Sequence, residues 1–393
     1  MVLHLFSHNT RKPLFHAVKH FQSTRFASSK VSKPLRILYC GSDDFSSASL
    51  RALHAEQLRD PQTIASIDVM CRPGKRTGRS LKKIREVPIK GVAQELGLAI
   101  HERDTFRGWE LPIPQAGPIN LIIAVSFGLF VPSRILKSAE YGGLNVHPSL
   151  LPHFRGPAPL QHTLLSGEEY TGVTLQTLDE KTFDHGKILA QTPFPGLKIP
   201  NASSCTYPQL LEFISPKAAE LLVQGIRDRV FDPPLLEVGW HKPVDPNEKF
   251  KHASKITPED RQLDMSSWTS VEIERRSRVL GRLWSRAVVS SSGGGGDNDS
   301  NGMILKRFVL EDIEIIPSPE EKLNSGPLFG ENINQLRILS GKEESRPLAY
   351  VEDGESIIVP TCDGKGLRIK EITVEGEVRK PAITAVRKLR ASV

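Results

Sequence analysis

Acidic residues are absent from the first 42 positions of this chain, and the first carboxylate is that of Asp43. A secretory signal is disfavoured because no compact apolar core follows a short basic start. Serines and apolar residues separate the basic side chains of this segment, which are Arg11, Lys12, Lys19, Arg25, Lys30, Lys33 and Arg36. This composition predicts a mitochondrial transit peptide over residues 1–33, with cleavage between Arg25 and Lys33. The alternative is a basic arm that contacts RNA.

Cysteine is scarce, and long apolar runs are missing. The four cysteines show no spacing typical of a metal site, so we expect free thiols in a reducing compartment: Cys40, Cys71, Cys205 and Cys362. The histidines likewise lack partners at ligand spacing, and we predict no metal. No apolar stretch approaches the roughly 18 residues that a membrane-spanning helix needs, so we predict no membrane partner.

The chain is long and basic. Its 393 residues are enough for two or three domains with substantial cores. The net charge of +7 and the pI near 9.2 favour a polyanionic partner, although a basic presequence contributes to both values.

Apolar segments alternate with helical patterns over the first half of the chain. Strands are predicted at 35–40, 64–71, 98–101, 119–125 and 143–147, and helices at 45–56 and 88–96. This β-α-β alternation predicts a parallel sheet with helices on both faces. Ligands bind such sheets beyond the carboxyl ends of the strands. The dinucleotide motif Gly-x-Gly-x-x-Gly is absent, so Gly41 alone is weak evidence for a nucleotide site.

Two polar side chains lie at the end of the strand predicted over 143–147. Asn145 and His147 are two positions apart and therefore project to the same side. The amide can donate a hydrogen bond to a developing oxyanion, and the imidazole can donate another or move a proton. Asp184 is the candidate anion that orients the imidazole. An isolated Asn-x-His pair is more often ordinary polar packing, so the wider pattern has to decide.

That wider pattern extends over some forty residues. Asn-Val-His-Pro-Ser-Leu-Leu-Pro begins at Asn145, and the chain continues with Arg155-Gly156, Gly172-Val173-Thr174 and Asp184-x-Gly186. In order and spacing these residues resemble the folate-dependent formyltransferases. The resemblance implies a catalytic trio of Asn145, His147 and Asp184. It also implies that the pocket for 10-formyltetrahydrofolate is lined by Ser149, Leu150, Leu151 and Pro152. Lys187 departs from the resemblance, because many members carry an acid there, and it alters the expected charge of the pocket rim.

A second feature of the first half is a basic segment at 72–85, with seven Lys or Arg and no acid. Its glycines and proline predict a mobile loop, and its charge density favours phosphate as the target. A solvated basic loop is the plain alternative. The resemblance implies a loop that reaches toward the acceptor end of a charged tRNA, with contacts from Arg76, Arg79, Lys82 and Lys83.

The second half has different composition. We predict a proline-bearing linker at 232–246 and a tRNA-binding domain at 247–393, which resembles the carboxyl-terminal domain of methionyl-tRNA formyltransferases. Thr257 is a plausible cap, with Pro258 at the first helical position. Strand-like segments at 303–310, 356–360 and 366–374 predict a small barrel. The Ser/Gly-rich stretch 290–302 is predicted to be a disordered hairpin loop, and 317–341 an irregular insertion. An arginine-rich helix at 271–282 and a basic tail at 379–390 serve either solubility or RNA contact.

The predicted fold class is α/β, with a formyltransferase-type Rossmann-like parallel sheet over 34–231 and a small β-barrel-like carboxyl-terminal domain. The resemblance implies formyl transfer from 10-formyltetrahydrofolate to methionyl-tRNA for initiation of translation in the mitochondrial matrix. We expect a monomer whose partners are initiator methionyl-tRNA and the folate donor. The alternatives are a glycinamide ribonucleotide formyltransferase, a 10-formyltetrahydrofolate hydrolase and a noncatalytic RNA-binding protein on this scaffold.

Overall fold

A computed structural model describes residues 33–78, 80–240, 249–265, 267–289, 304–317, 334–340 and 344–391. The predicted transit peptide, apart from Lys33, lies outside these ranges, as do Arg79 and the predicted loop 290–302. Among the described helices, none is both long enough and apolar enough to cross a bilayer.

The first half is built on a seven-stranded sheet in the order β10-β9-β7-β6-β1-β2-β5. The strands from β7 to β5 in this order run parallel, whereas β9 and β10 are antiparallel additions at one edge. A hairpin and a two-stranded ribbon supply the remaining strands. The eleven strands are β1 Leu35–Gly41, β2 Ile64–Cys71, β3 Lys75–Thr77, β4 Lys83–Arg85, β5 Ala99–Glu102, β6 Leu121–Val125, β7 Gly143–His147, β8 Tyr170–Thr171, β9 Thr174–Thr177, β10 Ile188–Gln191 and β11 Leu197–Lys198.

Five helices accompany these strands: α1 Asp44–Arg59, α2 Pro88–Glu95, α3 Ser133–Ser138, α4 Pro159–Leu165 and α5 Tyr207–Arg227. Asp43 begins α1, because its side chain accepts the Ser46 amide, and Thr206 begins α5 in a capping box with Gln209. Two apolar clusters pack against the sheet, one containing residues of α1 and α5 and the other residues of α3. Every residue of β6 is buried, as a strand covered on both faces requires.

The second half contains a closed circuit of antiparallel strands. The order is β13-β12-β14-β15-β16-β17-β18, and β13 also pairs with β17, which closes the ring around its own apolar core. A 3₁₀ turn at Pro258–Arg261 precedes these elements, with Thr257 and Asp260 forming a capping box. The elements are α6 Ser270–Leu280, β12 Trp284–Val289, β13 Ile304–Ile316, β14 Asn334–Ser340, β15 Glu344–Asp353, β16 Ser356–Pro360, β17 Gly366–Val374, β18 Lys380–Pro381 and α7 Ala382–Ala391.

The predicted fold class is confirmed, since a mainly parallel sheet with helices is followed by a ring-like antiparallel one. Two local predictions were wrong. The segment 72–85, predicted to be a mobile loop, contains the hydrogen-bonded hairpin β3–β4. The region 317–341, predicted to be an irregular insertion, includes β14. The division into domains stays a prediction.

A buried carboxylate ties the first helix of the chain to α5. Glu56 is 3% exposed and bonds the guanidinium groups of Arg59 and Arg227. The hydrogen bonds from Arg59 and then from Arg227 lower the pKa of Glu56 from 4.5 to about 2. The ionised form is therefore the one that stabilises the fold.

We expect Glu56→Gln to lower the free energy of unfolding at pH 7 by about 1–3 kcal/mol, because a charge-assisted pair is lost. Because the pKa of Glu56 is lower in the folded state, its ionised form contributes fully to stability at pH values above the unfolded pKa of 4.5. This contribution disappears as the pH falls toward about 2. Denaturant unfolding of the wild type and of Glu56→Gln between pH 7 and pH 2 measures the difference in their free energies of unfolding. Glu169→Gln, an exposed change, is the control, and a pH-independent gap between Glu56→Gln and wild type would contradict the prediction.

Candidate active site

Asn145 and His147 lie at the carboxyl end of β7. This strand runs parallel to β6 and antiparallel to β9, so that Ala124 and Gln176 flank Asn145 in register. The chain moves from β1 outward to β2 and β5 and then returns to the other side of β1 with β6. The two side chains therefore lie next to the point where the strand order reverses, where sheets of this kind bind ligands.

The amide of Asn145 is held at both of its ends. Its Nδ2 donates to the carbonyl of Ala124 at 3.0 Å, and its Oδ1 accepts from Gln176 Nε2 at 3.0 Å. Within the described part of the chain, the second Nδ2 hydrogen has no protein acceptor. The side chain is half-buried. A fixed amide with one uncommitted donor suits the stabilisation of a negatively charged oxygen.

The imidazole of His147 is 4% exposed and lies between two acceptors. Its Nε2 donates to the carbonyl of Phe154 at 2.8 Å, because a carbonyl oxygen can only accept. Its Nδ1 lies 3.5 Å from Asp184 Oδ1. The ring is therefore oriented by the Phe154 carbonyl on one side and faces the Asp184 carboxylate on the other.

Asp184 enters the site from the turn between β9 and β10. Its φ of 58° is left-handed, a conformation that Asp adopts more readily than most residues. Oδ2 accepts the Gly156 amide at 2.9 Å, and the Asp184 carbonyl accepts Arg155 Nε at 2.8 Å. Burial lowers the pKa of Arg155, and the charge of Asp184 partly opposes this shift. The structure thus brings all three residues of the predicted trio together.

The loop that follows β7 is braced by a segment distant in sequence. Phe154 N donates to the carbonyl of Lys251 at 2.6 Å, and Ala253 N donates to the carbonyl of Arg155 at 2.7 Å. Gly156 has a φ of 121°, and a Cβ there would lie 2.4 Å from the Ala253 carbonyl oxygen. Residues 251–253 therefore fix the backbone whose carbonyl and amide contact His147 and Asp184.

The four predicted folate-binding residues line a cavity of about 430 Å³. Aromatic side chains form much of its wall: Phe154, Tyr170, Phe194, Trp240 and Phe250. Lys251 and Glu168 add an ion pair. The trio itself is not part of the lining, although Phe154 connects the cavity wall to His147 through its carbonyl. The volume and the apolar walls are typical of small-molecule sites.

Lys187, the departure from the family pattern, donates to the carbonyl of Leu235 at 3.3 Å. Beside it, Val238 N donates to Ile188 O and Trp240 Nε1 to Thr192 O, so the segment after α5 covers the edge strand β10. The Lys187 ammonium is engaged with this covering segment.

The predicted tRNA-binding cations lie on the hairpin β3–β4, except Arg79, which is outside the described residues. Lys75 lies directly opposite Arg85, and Thr77 opposite Lys83. Like charges in directly opposite positions repel. Within the described part of the chain, no hydrogen bond or ion pair involves the side chains of Lys75, Arg76, Lys82, Lys83 or Arg85. The hairpin therefore presents uncompensated positive charge.

The basic clusters of the second half differ, because their cations have protein partners. On α6, Arg275 donates to the carbonyl of Leu165 and Arg278 to that of Cys205, so both join this helix to the first half. Further pairs join Arg276 to Glu272, Arg282 to Glu311, Arg387 to Glu352 and Lys380 to Glu377. These cations are therefore paired within the protein, in contrast to those of the hairpin β3–β4.

Sequence reasoning missed Gln176. It lies on β9, is 1% exposed and donates through Nε2 to both Asn145 Oδ1 and Asp184 Oδ1. The available signal was its place on the predicted strand beside Leu175 and Leu178, because an amide that is buried needs hydrogen-bond partners. No group of three or more metal-ligating side chains occurs among the described residues, and their cysteines are all free.

Residues 35–209 match the family model described as formyl transferase. The chain is 29% identical to the mitochondrial methionyl-tRNA formyltransferase of Saccharomyces cerevisiae, over 74% of this chain and 79% of that protein. It is 31% identical to the methionyl-tRNA formyltransferase of Rhizorhabdus wittichii, over 62% and 72% of the two chains. The mitochondrial human enzyme is 30% identical over 67% of this chain and 61% of its own.

Proposed function

The chain belongs to the methionyl-tRNA formyltransferase family, and from this premise we propose that it transfers a formyl group from 10-formyltetrahydrofolate to the α-amine of methionyl-tRNA. The proposal rests on one observation: the side chains of Asn145, His147 and Asp184 lie close together at the carboxyl end of β7. The product, formylmethionyl-tRNA, serves initiation of translation. We propose that the protein acts as a monomer in the mitochondrial matrix. The names of its yeast and human relatives and its acid-free basic amino terminus support the mitochondrial part.

The reaction forms a carbon–nitrogen bond at the formyl carbon. The neutral α-amine attacks, the carbonyl π electrons move to oxygen, and a tetrahedral oxyanion results. When the oxyanion collapses, the bond from the formyl carbon to N10 of the folate breaks, N10 gains a proton, and the new amide nitrogen loses one. The uncommitted Nδ2 hydrogen of Asn145 is suited to hold the oxyanion, because its amide is already fixed by Ala124 and Gln176.

His147 and Asp184 are proposed to hold positive charge near that oxygen and to assist the proton transfer. Asp184 Oδ1 lies 3.5 Å from Nδ1 of His147, close enough to interact with the charge that the ring carries when it holds the transferred proton. The Phe154 carbonyl orients the ring through Nε2. Direct donation from His147 to the oxyanion requires the ring to exchange one of these two partners for the substrate.

Ser149, Leu150, Leu151 and Pro152 are proposed to contact the folate donor. The aromatic cavity that they line can accept planar rings, and its ion pair can bond polar edges. Thr174 Oγ1 accepts the Leu151 amide and donates to the Ser149 carbonyl, so this loop is held from β9.

The acceptor distinguishes this function from its alternatives. Purified full chain is supplied with formyl-labelled donor and one of methionyl-tRNA, glycinamide ribonucleotide or water alone. We expect label on the α-amine of methionyl-tRNA. Label on glycinamide ribonucleotide would show a glycinamide ribonucleotide formyltransferase instead, and label released as formate would show a hydrolase. Binding of tRNA without transfer would show a noncatalytic RNA-binding protein.

The hairpin β3–β4 is proposed as the first surface for tRNA phosphates. We expect Arg76→Ala and Lys83→Ala each to raise KM for methionyl-tRNA and to reduce the slope of log affinity against log salt by about 1. Binding titrations between low and high salt measure the slope. Arg51→Ala removes an equal charge that is paired with Glu95 and serves as the control. An unchanged slope in both hairpin variants would reject the assignment.

A further inference from the structure

Gln176 connects two members of the trio through one nitrogen. Its Nε2 lies 3.0 Å from Asn145 Oδ1 and 3.3 Å from Asp184 Oδ1. Both neighbours present acceptors, so each takes one of the two hydrogens of the Gln176 amide. No other side chain among the described residues bonds both Asn145 and Asp184.

The bond to Asn145 decides which way its amide points. If the Asn145 oxygen were not bonded, the side-chain amide could rotate by half a turn and present an acceptor where the oxyanion forms. Gln176 prevents this rotation because its nitrogen requires an oxygen opposite it. The Ala124 carbonyl opposes the same rotation from the other side. The donor to the oxyanion is therefore pre-oriented, which is the condition for effective electrostatic catalysis.

The arrangement has a cost in stability. Gln176 Oε1 is buried and has no hydrogen-bond partner in the described part of the protein. An unpaired buried acceptor destabilises a fold, and an apolar residue of similar length would avoid this penalty. This penalty is offset by the two hydrogen bonds that the Gln176 nitrogen donates, and both go to members of the trio.

We propose that Gln176 is a positioning residue for formyl transfer, which sets the orientation of the Asn145 amide and the Asp184 carboxylate. This inference rests on the proposed function. Gln176 acts through these neighbours and need not touch either substrate. Replacing Gln176 should therefore slow the chemical step, whereas the affinities for methionyl-tRNA and for the folate donor stay close to those of the wild type.

Two variants test this role. Gln176→Met keeps the length and removes both donors. Gln176→Glu keeps the shape and places a carboxylate beside the acceptors on Asn145 and Asp184. We expect kcat to fall about 10- to 100-fold in Gln176→Met, with both KM values within twofold of wild type. Gln57→Met, which loses one hydrogen bond to Ala65 between α1 and β2, is the matched control and should keep wild-type kcat.

The pH profile separates positioning from mere support of the fold. The ionisable group that bonds Gln176 is Asp184, and His147 and Arg155 contact Asp184 in turn. In Gln176→Glu, protonation of the new carboxyl restores one donor, so its kcat relative to wild type should rise as the pH falls. The corresponding ratio for Gln176→Met should stay flat.

The outcomes are distinct. Wild-type kcat in Gln176→Met, a raised KM with unchanged kcat, or losses of kcat that only follow losses of thermal stability would each overturn the positioning role. If the wild-type chain formylates no methionyl-tRNA, the proposed function fails as well. If it does so at full rate in Gln176→Met, only this inference fails.

Discussion

Asn145→Ala is expected to lower kcat for formyl transfer by about 10²–10³-fold, which is the usual cost of removing one oxyanion donor. KM for methionyl-tRNA should change little, because the amide lies at the carboxyl end of β7 and its proposed substrate contact is with the reacting oxygen. Single-turnover formylation at saturating tRNA measures the chemical step directly. His147→Ala should show the same pattern, since its imidazole lies 3.5 Å from Asp184 and is proposed to assist the proton transfer.

The sheet provides a matched control in Asn120. This amide is also fixed at both ends: Oδ1 accepts Arg36 N at 2.7 Å, and Nδ2 donates to the Pro34 carbonyl at 3.1 Å. It is 2% exposed and remote from the trio in the strand pairing. Asn120→Ala should lower the melting temperature and leave kcat per folded molecule unchanged. Asn145→Ala should lower kcat per folded molecule and leave the melting temperature nearly unchanged. Wild-type turnover in Asn145→Ala would reject the role assigned to this residue.

The strand that carries the site could be predicted from sequence at its observed bounds. Residues 143–147 follow Gly142, and their apolar positions Leu144 and Val146 alternate with Asn145 and His147, so the strand period places both polar side chains on one side. The position of Asp184 came from the family pattern, because its left-handed turn has no periodic signature.

Contacts between distant segments could not be predicted in this way. Gln176 faces Asn145 only because β9 adds to the sheet antiparallel to β7, and a single-strand pattern does not specify its partner. The brace at 251–253 is a bridge to Arg155 across almost a hundred residues. The sequence left solubility and RNA contact open for the arginines of α6, because composition shows charge without showing the carboxylates and carbonyls that these side chains contact.

The position of Asp184 depends on a close approach of two backbone segments. Gly186 follows the turn, and a Cβ built there would lie 1.7 Å from the carbonyl oxygen of Thr177. A backbone carbonyl in a strand pair cannot rotate aside as a side chain can, so any larger residue must displace the chain two residues after Asp184. Glycine at this position is therefore required by the space between β9 and the turn.

We expect Gly186→Ala to destabilise the protein by about 1–3 kcal/mol and to lower kcat about 10²-fold, because overpacking moves the carboxylate away from His147. Gly91→Ala is the matched control, since this helical glycine is exposed, has open space around its Cβ position and should be stabilised by about 0.5–1 kcal/mol. Thermal unfolding and single-turnover assays of both variants measure the two effects. If Gly186→Ala loses stability yet keeps wild-type kcat, then the position of Asp184 does not limit the reaction, and its proposed part in charging His147 is wrong.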